Sequence, residues 1–131
     1  MKLLDTDTCI ALLRGNEAVI ARRAATDDQV VTTWITAAEL YFGAAKSSAP
    51  EANRDLVRAF LATLDVLGLN DAAAQIFGEA KALLERGGRR LADADLLIGA
   101  TAGAHGATIV TGNRRHYERI PGLWTENWIR S

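Results

Sequence analysis

Four acidic side chains, Asp5, Glu39, Asp93 and Asp95, stand beside apolar sequence or where a strand gives way to a helix, positions from which a carboxylate can serve a site. Glu39 lies within Ile35-Thr36-Ala37-Ala38-Glu39-Leu40-Tyr41-Phe42-Gly43 with almost no polar neighbour, and Asp95 is followed by Leu96-Leu97-Ile98-Gly99-Ala100. A carboxylate buried without a partner is costly and needs a cation, a proton or a path to water. The first turn of a helix relieves only part of that cost. Taken singly, Glu39 and Asp95 each read equally well as structural. Asp5 or Asp7 can cap the first helix and Asp93 can cap a helix starting at Ala94, each for about 1 kcal/mol, and capping is the preferred reading of Asp7 and Asp93. If Asp5, Glu39 and Asp95 converge, like-charge repulsion raises their pKa values unless a divalent cation offsets it. Such an all-oxygen donor set selects Mg2+ or Mn2+, whereas zinc calls for histidine and cysteine at ligand spacing. His105 and His116 are far apart in sequence, and the single cysteine, Cys9, reads as a small core residue. A serine or cysteine hydrolase would also need a nucleophile setting that this chain lacks.

The elements that must carry these residues alternate. Lys2-Leu3-Leu4 reads as a short buried strand running into the polar Asp5-Thr6-Asp7-Thr8, with a helix predicted over 8–14 and another over 17–25. Val30-Val31-Thr32-Thr33 is β-branched enough for a second strand. Thr36 is expected to cap a helix over 37–46, and Ser47-Ser48-Ala49-Pro50 is a turn. The helical spacing of Leu56, Val57, Phe60, Leu61 and Leu64 predicts a helix over 51–64. Asp65-Val66-Leu67 follows as a strand, then helices over 71–86 and 93–105, a strand at 108–110, and a short fifth strand at 123–125. Short apolar strands separated by helices define an α/β fold, a mainly parallel central sheet flanked by helices. Ligands of such sheets bind beyond the carboxyl ends of the strands, where Asp5 and Thr111-Gly112-Asn113 fall.

At 131 residues the chain predicts one domain over 1–131. With 49% hydrophobic and 24% charged residues it is neither a disordered tail nor a membrane protein. No apolar run approaches the roughly 18 residues of a transmembrane helix, and no targeting peptide is visible. A lone cysteine forms no intrachain disulfide, which fits a cytoplasmic location. The net charge of −1 excludes a globally basic nucleic-acid binder, so any such contact must be local. Arg22-Arg23, Arg89-Arg90 and Arg114-Arg115 are the basic clusters, and such clusters are usually solvated surface.

Leu3-Leu4-Asp5-Thr6-Asp7 resembles the opening of PIN domains, Thr36-Ala37-Ala38-Glu39-Leu40 resembles their second acidic motif, and Asp95-Leu96-Leu97-Ile98-Gly99-Ala100-Thr101-Ala102 the third. Thr108-Ile109-Val110-Thr111-Gly112-Asn113 looks like the strand and polar turn that close the site. The likeness runs in order along nearly the whole chain and is closest to the VapC-like toxins of prokaryotic toxin–antitoxin pairs. It implies a Mg2+-dependent ribonuclease, with Mn2+ able to substitute, that hydrolyses phosphodiesters to leave a 5′-phosphate and a 3′-hydroxyl. Asp5, Glu39 and Asp95 are then the catalytic acids, with Asp5 and Asp95 binding the metal and Glu39 orienting or deprotonating the attacking water. Thr6, Asp93, Thr111 and Asn113 are supporting residues, and Arg114, Arg115 and His116 are placed to grip the RNA backbone. The resemblance further implies a VapB-like antitoxin, a homodimer and transfer RNA as leading substrate. Trp34, Tyr41, Phe42, Trp124 and Trp128 are then candidates for exposed docking surface. Two departures stand out: Asp7 where relatives carry Asn, and the neutral Asn113 where many carry an acid.

Three rival readings remain. Asp5-Thr6-Asp7-Thr8-Cys9 approaches the D-x-D-x-T/V signature of haloacid-dehalogenase phosphatases, but Cys9 holds the last position and lysine occurs only at 2, 46 and 81. A PIN-like module without catalysis, docking RNA or protein, would be expected to have lost one of the acids. A receiver-like signalling domain would use a similar acidic pocket to take a phosphoryl group.

Overall fold

The computed structural model describes residues 1–130. Five strands, β1 (Lys2–Leu4), β2 (Val30–Thr33), β3 (Asp65–Leu67), β4 (Thr108–Val110) and β5 (Trp124–Glu126), alternate with seven helices. These are α1 (Thr6–Leu13), α2 (Glu17–Ala25), α3 (Trp34–Ala45), α4 (Pro50–Leu61), α5 (Asp71–Arg86), α6 (Asp93–His105) and α7 (Arg114–Glu118). The sheet order is β3-β2-β1-β4-β5 and every pairing is parallel, so the expected α/β architecture is present with no antiparallel strand among the described residues.

The three inner strands β1, β2 and β4 are largely buried, as strands covered by helices on both faces are, whereas the edge strands β3 and β5 are partly exposed. Adjacent strand residues point to opposite sides. Leu3 and Ile109 join Leu96, Ile98 and Tyr117 beneath α5, α6 and α7. Leu4 and Val110 join Cys9, Val19, Leu40 and Val57 beneath α1 to α4. The expected core position of Cys9 is realised, and burial pushes its thiol up to about 12.

Several boundaries differ from expectation, each for a local reason. Helix α3 begins at Trp34 rather than Ala37, because the Thr33 hydroxyl accepts from Thr36 N at 3.1 Å and takes the cap expected of Thr36. Pro50 fills the first position of α4, where its missing N–H costs nothing, and α4 ends at Leu61. Helix α1 starts at Thr6 rather than at residue 8, and β5 lies one residue later than expected. Trp128 is buried rather than a docking residue, its indole N–H donating to Glu126 Oε2 at 3.1 Å. Trp34, Phe42 and Trp124 are exposed, and Tyr41 is half-buried. No helix among the described residues is long and apolar enough to cross a membrane.

Candidate active site

Because β2 and β3 lie on one side of β1 while β4 and β5 lie on the other, the chain reverses its course across the sheet at the β1–β4 boundary. The carboxyl ends of two such strands open a crevice there. Asp5 leaves β1 into it and Thr111 leaves β4 into it. Asp5 N donates to Val110 O at 2.9 Å, which continues the β1–β4 pairing one residue past the strand ends. The Asp5 carboxylate is 5% exposed and accepts twice, at Oδ1 from Thr6 N (2.8 Å) and at Oδ2 from Thr111 Oγ1 (2.8 Å). Thr111 Oγ1 in turn accepts from Asn113 N at 2.9 Å.

Thr6 links the first acid to the second. Its hydroxyl donates to Glu39 Oε1 at 2.7 Å and lies 3.1 Å from Thr36 Oγ1. Glu39 is exposed, contrary to the burial its apolar sequence neighbours suggested. Helix α3 buries Ala37, Leu40 and Ala44 and leaves Glu39 and Phe42 open to water.

Asp95 brings the third acid from the first turn of α6 and is half-buried. Its carboxyl is held above the ordinary aspartate value by burial first and by the Asp5 charge next; Glu39 and Asp7 add to this, and His116 opposes it. His116 Nδ1 lies 3.6 Å from Asp95 Oδ2. The charges of Asp5 and Glu39, both distant in sequence, thus bear on Asp95.

The other predicted residues divide. Asp93 does not cap α6; it is the first helical residue, and its carboxylate pairs with Lys81 Nζ of α5 at 3.0 Å. Asp7 does not cap α1 either. Its Oδ2 accepts from Gly112 N at 2.8 Å, with Asn113 Nδ2 at 3.4 Å, so it clips the turn after β4 to α1. A Cβ on Gly112 would stand 2.8 Å from Asp7 Oδ2, so any side chain there would have to push the Asp7 carboxylate aside. Burial first, then the Asp5 charge, raise the Asp7 carboxyl pKa. Arg114 and Arg115 are exposed on α7, and Arg114 Nε donates to Thr125 Oγ1 at 2.9 Å.

Sequence reasoning missed Tyr117. It is fully buried, and its hydroxyl is the one buried side-chain polar atom among the described residues without a hydrogen-bond partner. Burial first, then the Asp5 and Asp95 charges, push its pKa well above that of an ordinary tyrosine. No periodic signal in the sequence could have found it, because α7 is only five residues long.

Two hollows adjoin these elements. A groove of about 580 Å3 meets the acids at Thr6 and Glu39 and continues over Ile10, Leu13, Phe42 and Leu56. A second, of about 640 Å3, lies between the end of α5 and the start of α6, lined by Lys81, Arg89, Arg90 and Asp93 but by none of the three acids. The donors at the crevice are carboxylate and hydroxyl oxygens, the hard set suited to Mg2+ or Mn2+. Among the described residues, no three His, Cys, Asp or Glu side chains stand close enough to hold an ion on their own. An ion that keeps several waters and takes one or two carboxylates needs no such trio, and Asp5 and Asp95 would be the residues to hold it.

The profile of the PIN domain family matches residues 2–123. The chain is 38% identical over 127 residues, 96% of each chain, to the tRNA(fMet)-specific endonuclease VapC of Salmonella typhimurium. Among solved structures it resembles a chain of DNA-bound VapBC from Salmonella typhimurium, with a TM-score of 0.91, 38% identity and 97% of each chain covered. It also resembles VapBC-5 from Mycobacterium tuberculosis, a member of the VapBC family of toxin–antitoxin systems, with a TM-score of 0.70 at 27% identity over 96% of this chain and 95% of that one. The chain belongs to the PIN-domain family, in its VapC branch.

Proposed function

We propose that this protein is a Mg2+-dependent endoribonuclease, the toxin of a VapBC-type pair, and that it cleaves RNA by phosphodiester hydrolysis with Mn2+ able to replace Mg2+. The reading is carried by the convergence of Asp5, Glu39 and Asp95 at the carboxyl edge of a parallel sheet in a chain of the VapC branch. Asp5 and Asp95 hold the ion, whose positive charge, once bound, polarises the scissile phosphate and steadies the leaving oxygen. Glu39, exposed and steadied by Thr6, orients the attacking water and accepts its proton. Thr6 and Thr111 keep the Asp5 carboxylate in place, while Asn113 faces the same turn. Asp93 supports the site at one remove, tying the turn that carries Asp95 to α5. Arg114, Arg115 and His116 line the approach on α7 and hold backbone phosphates, contacts that position RNA without reading its bases.

Residues 1–131 form one PIN domain that works in the cytoplasm as a homodimer. Its partner is a VapB-like antitoxin, for which the groove over Ile10, Leu13, Phe42 and Leu56 offers apolar surface running up to Glu39. Transfer RNA is the substrate expected from the relatives. The test is a cleavage time course on total RNA with Mg2+, Mn2+ or chelator, comparing the protein with Asp95→Asn. Cleavage that requires metal and vanishes in the variant is expected. Absence of cleavage by the antitoxin-free protein in every metal would leave an RNA- or protein-docking module instead.

A further inference from the structure

Arg89 and Arg90 line the hollow between α5 and α6, and the fold fixes the backbone of both. Gly88 takes a φ of +68° and turns the chain after α5, so that Arg89 N donates back to Leu84 O at 2.8 Å, the bond that closes a left-handed helix end. Arg119, which caps the end of α7, donates through Nη1 to Arg90 O at 2.8 Å. Helix α7 is thereby tied to the rim of the hollow, and its His116 lies 3.6 Å from Asp95. The opposite wall is the first turn of α6, where Asp93 and Leu96 line the hollow on either side of Asp95 in sequence.

The charge of the hollow is not balanced from within. Lys81 is paired with Asp93 at 3.0 Å. Arg89 and Arg90 are exposed, and among the described residues neither forms an ion pair, although Glu85 lines the same hollow. Leu84 and Leu96 form a buried apolar floor, and low-dielectric walls focus the field of charges set on them. Two exposed arginines at a rim suit a chain of phosphates better than one enclosed anion.

We infer that this hollow is a backbone subsite for the RNA: the strand that crosses the acids continues over α7 and Arg119 to the rim, where Arg89 and Arg90 hold phosphates away from the bond that is cut. Guanidinium groups match phosphate oxygens with paired N–H donors. Such contacts set the register of a strand without reading its bases. The inference rests on the ribonuclease reading of the site and adds to it where the strand runs.

The test is Arg89→Gln/Arg90→Gln, which removes both charges and leaves Arg119 its backbone acceptor. Binding is read from the anisotropy of fluorescein-labelled bulk transfer RNA, in chelator and across a salt series. The variant is expected to bind roughly 10- to 100-fold more weakly, as loss of hydrogen bonds to charged groups implies. The slope of log affinity against log salt should fall by about 1 for each arginine. In Mg2+, KM should rise while kcat holds. Arg54→Gln/Arg58→Gln, which takes the same charge from α4, should alter none of these. An unchanged slope and KM would overturn the inference and leave the arginines as solvated surface. An equal effect from the α4 variant would overturn it as well, because net charge alone would then account for the loss. A wild type that binds RNA through Arg89 and Arg90 yet cuts none in any metal would keep the subsite and overturn the ribonuclease reading instead.

Discussion

Asp5 and Asp95 face one crevice but are held in opposite ways. Asp5 ends a strand in the middle of the sheet, is almost fully buried and receives two hydrogen bonds at 2.8 Å, from a backbone N–H and from a buried threonine. Asp95 stands in the first turn of a helix whose N-cap, Ala92, makes no side-chain bond, and the imidazole of His116 lies 3.6 Å from its carboxylate. The frame around Asp5 therefore belongs to the fold as much as to the chemistry. Asp95 is a charge placed where burial and other acids oppose it, which is the condition a cation would relieve.

Replacing each with alanine separates the two cases most sharply. Both Asp5→Ala and Asp95→Ala are expected to lower cleavage by 100-fold or more, on the order of what loss of a metal-orienting group costs and above. Stability should diverge. Asp5→Ala leaves Thr6 N and the buried Thr111 hydroxyl without an acceptor and should cost about 1–3 kcal/mol in urea unfolding, whereas Asp95→Ala should leave the metal-free protein as stable or more so at neutral pH. Equal destabilisation by both would remove the distinction.

Thr111→Val probes the frame without touching a carboxylate. It deletes the donor to Asp5 Oδ2 and the acceptor of Asn113 N. A loss of about 1–2 kcal/mol together with roughly tenfold slower cleavage is expected, with the activity loss larger at limiting Mg2+ than at saturation.

The pH dependence follows from the same contrast. The carboxyls of Asp7 and Asp95 are both held above their ordinary value in the folded protein, so the folded chain binds these protons more tightly than the unfolded one. Stability of the metal-free protein should then be undiminished below the ordinary aspartate range and decline as pH rises through the raised values. Glu126 works in the opposite direction, its pKa lowered by its bond with Lys2, so the comparison should be made between wild type and Asp95→Asn. The variant should show a shallower decline in Tm with pH, and an unchanged slope would mean that Asp95 ionises without penalty.

What could be read from the chain was what local sequence controls. Leu3-Leu4-Asp5 announces a strand with an acid at its carboxyl end, and the apolar run of α6 announces a buried helix, so Asp5 and Asp95 were visible before any geometry. Exposure of Glu39 was not, because sequence neighbours on a helix point in different directions and only packing decides which face turns inward. The ion pair of Asp93 with Lys81 joins two helices and leaves no local trace. Helix α7 spans five residues with no side-chain cap, too short for a period to register, and Tyr117 was hidden with it. Trp128 was hidden for another reason: the tail after β5 has no periodicity, and its burial depends on the α1–α4 face it meets.

Asp7→Asn carries the smallest expected effect and bears most directly on the frame. Asparagine keeps an oxygen that can accept from Gly112 N, so the clip between α1 and the turn after β4 should survive, and cleavage should stay within a few-fold of wild type. It also removes a charge that burial and Asp5 both oppose. Tm should therefore rise at neutral pH, and the gain should vanish in acid, where Asp7 is protonated in folded and unfolded chains alike. Loss of cleavage equal to that of Asp5→Asn would show that the second acid of Asp5-Thr6-Asp7 takes part in the chemistry. The boundary between frame and reacting acids would then have to move one turn into α1.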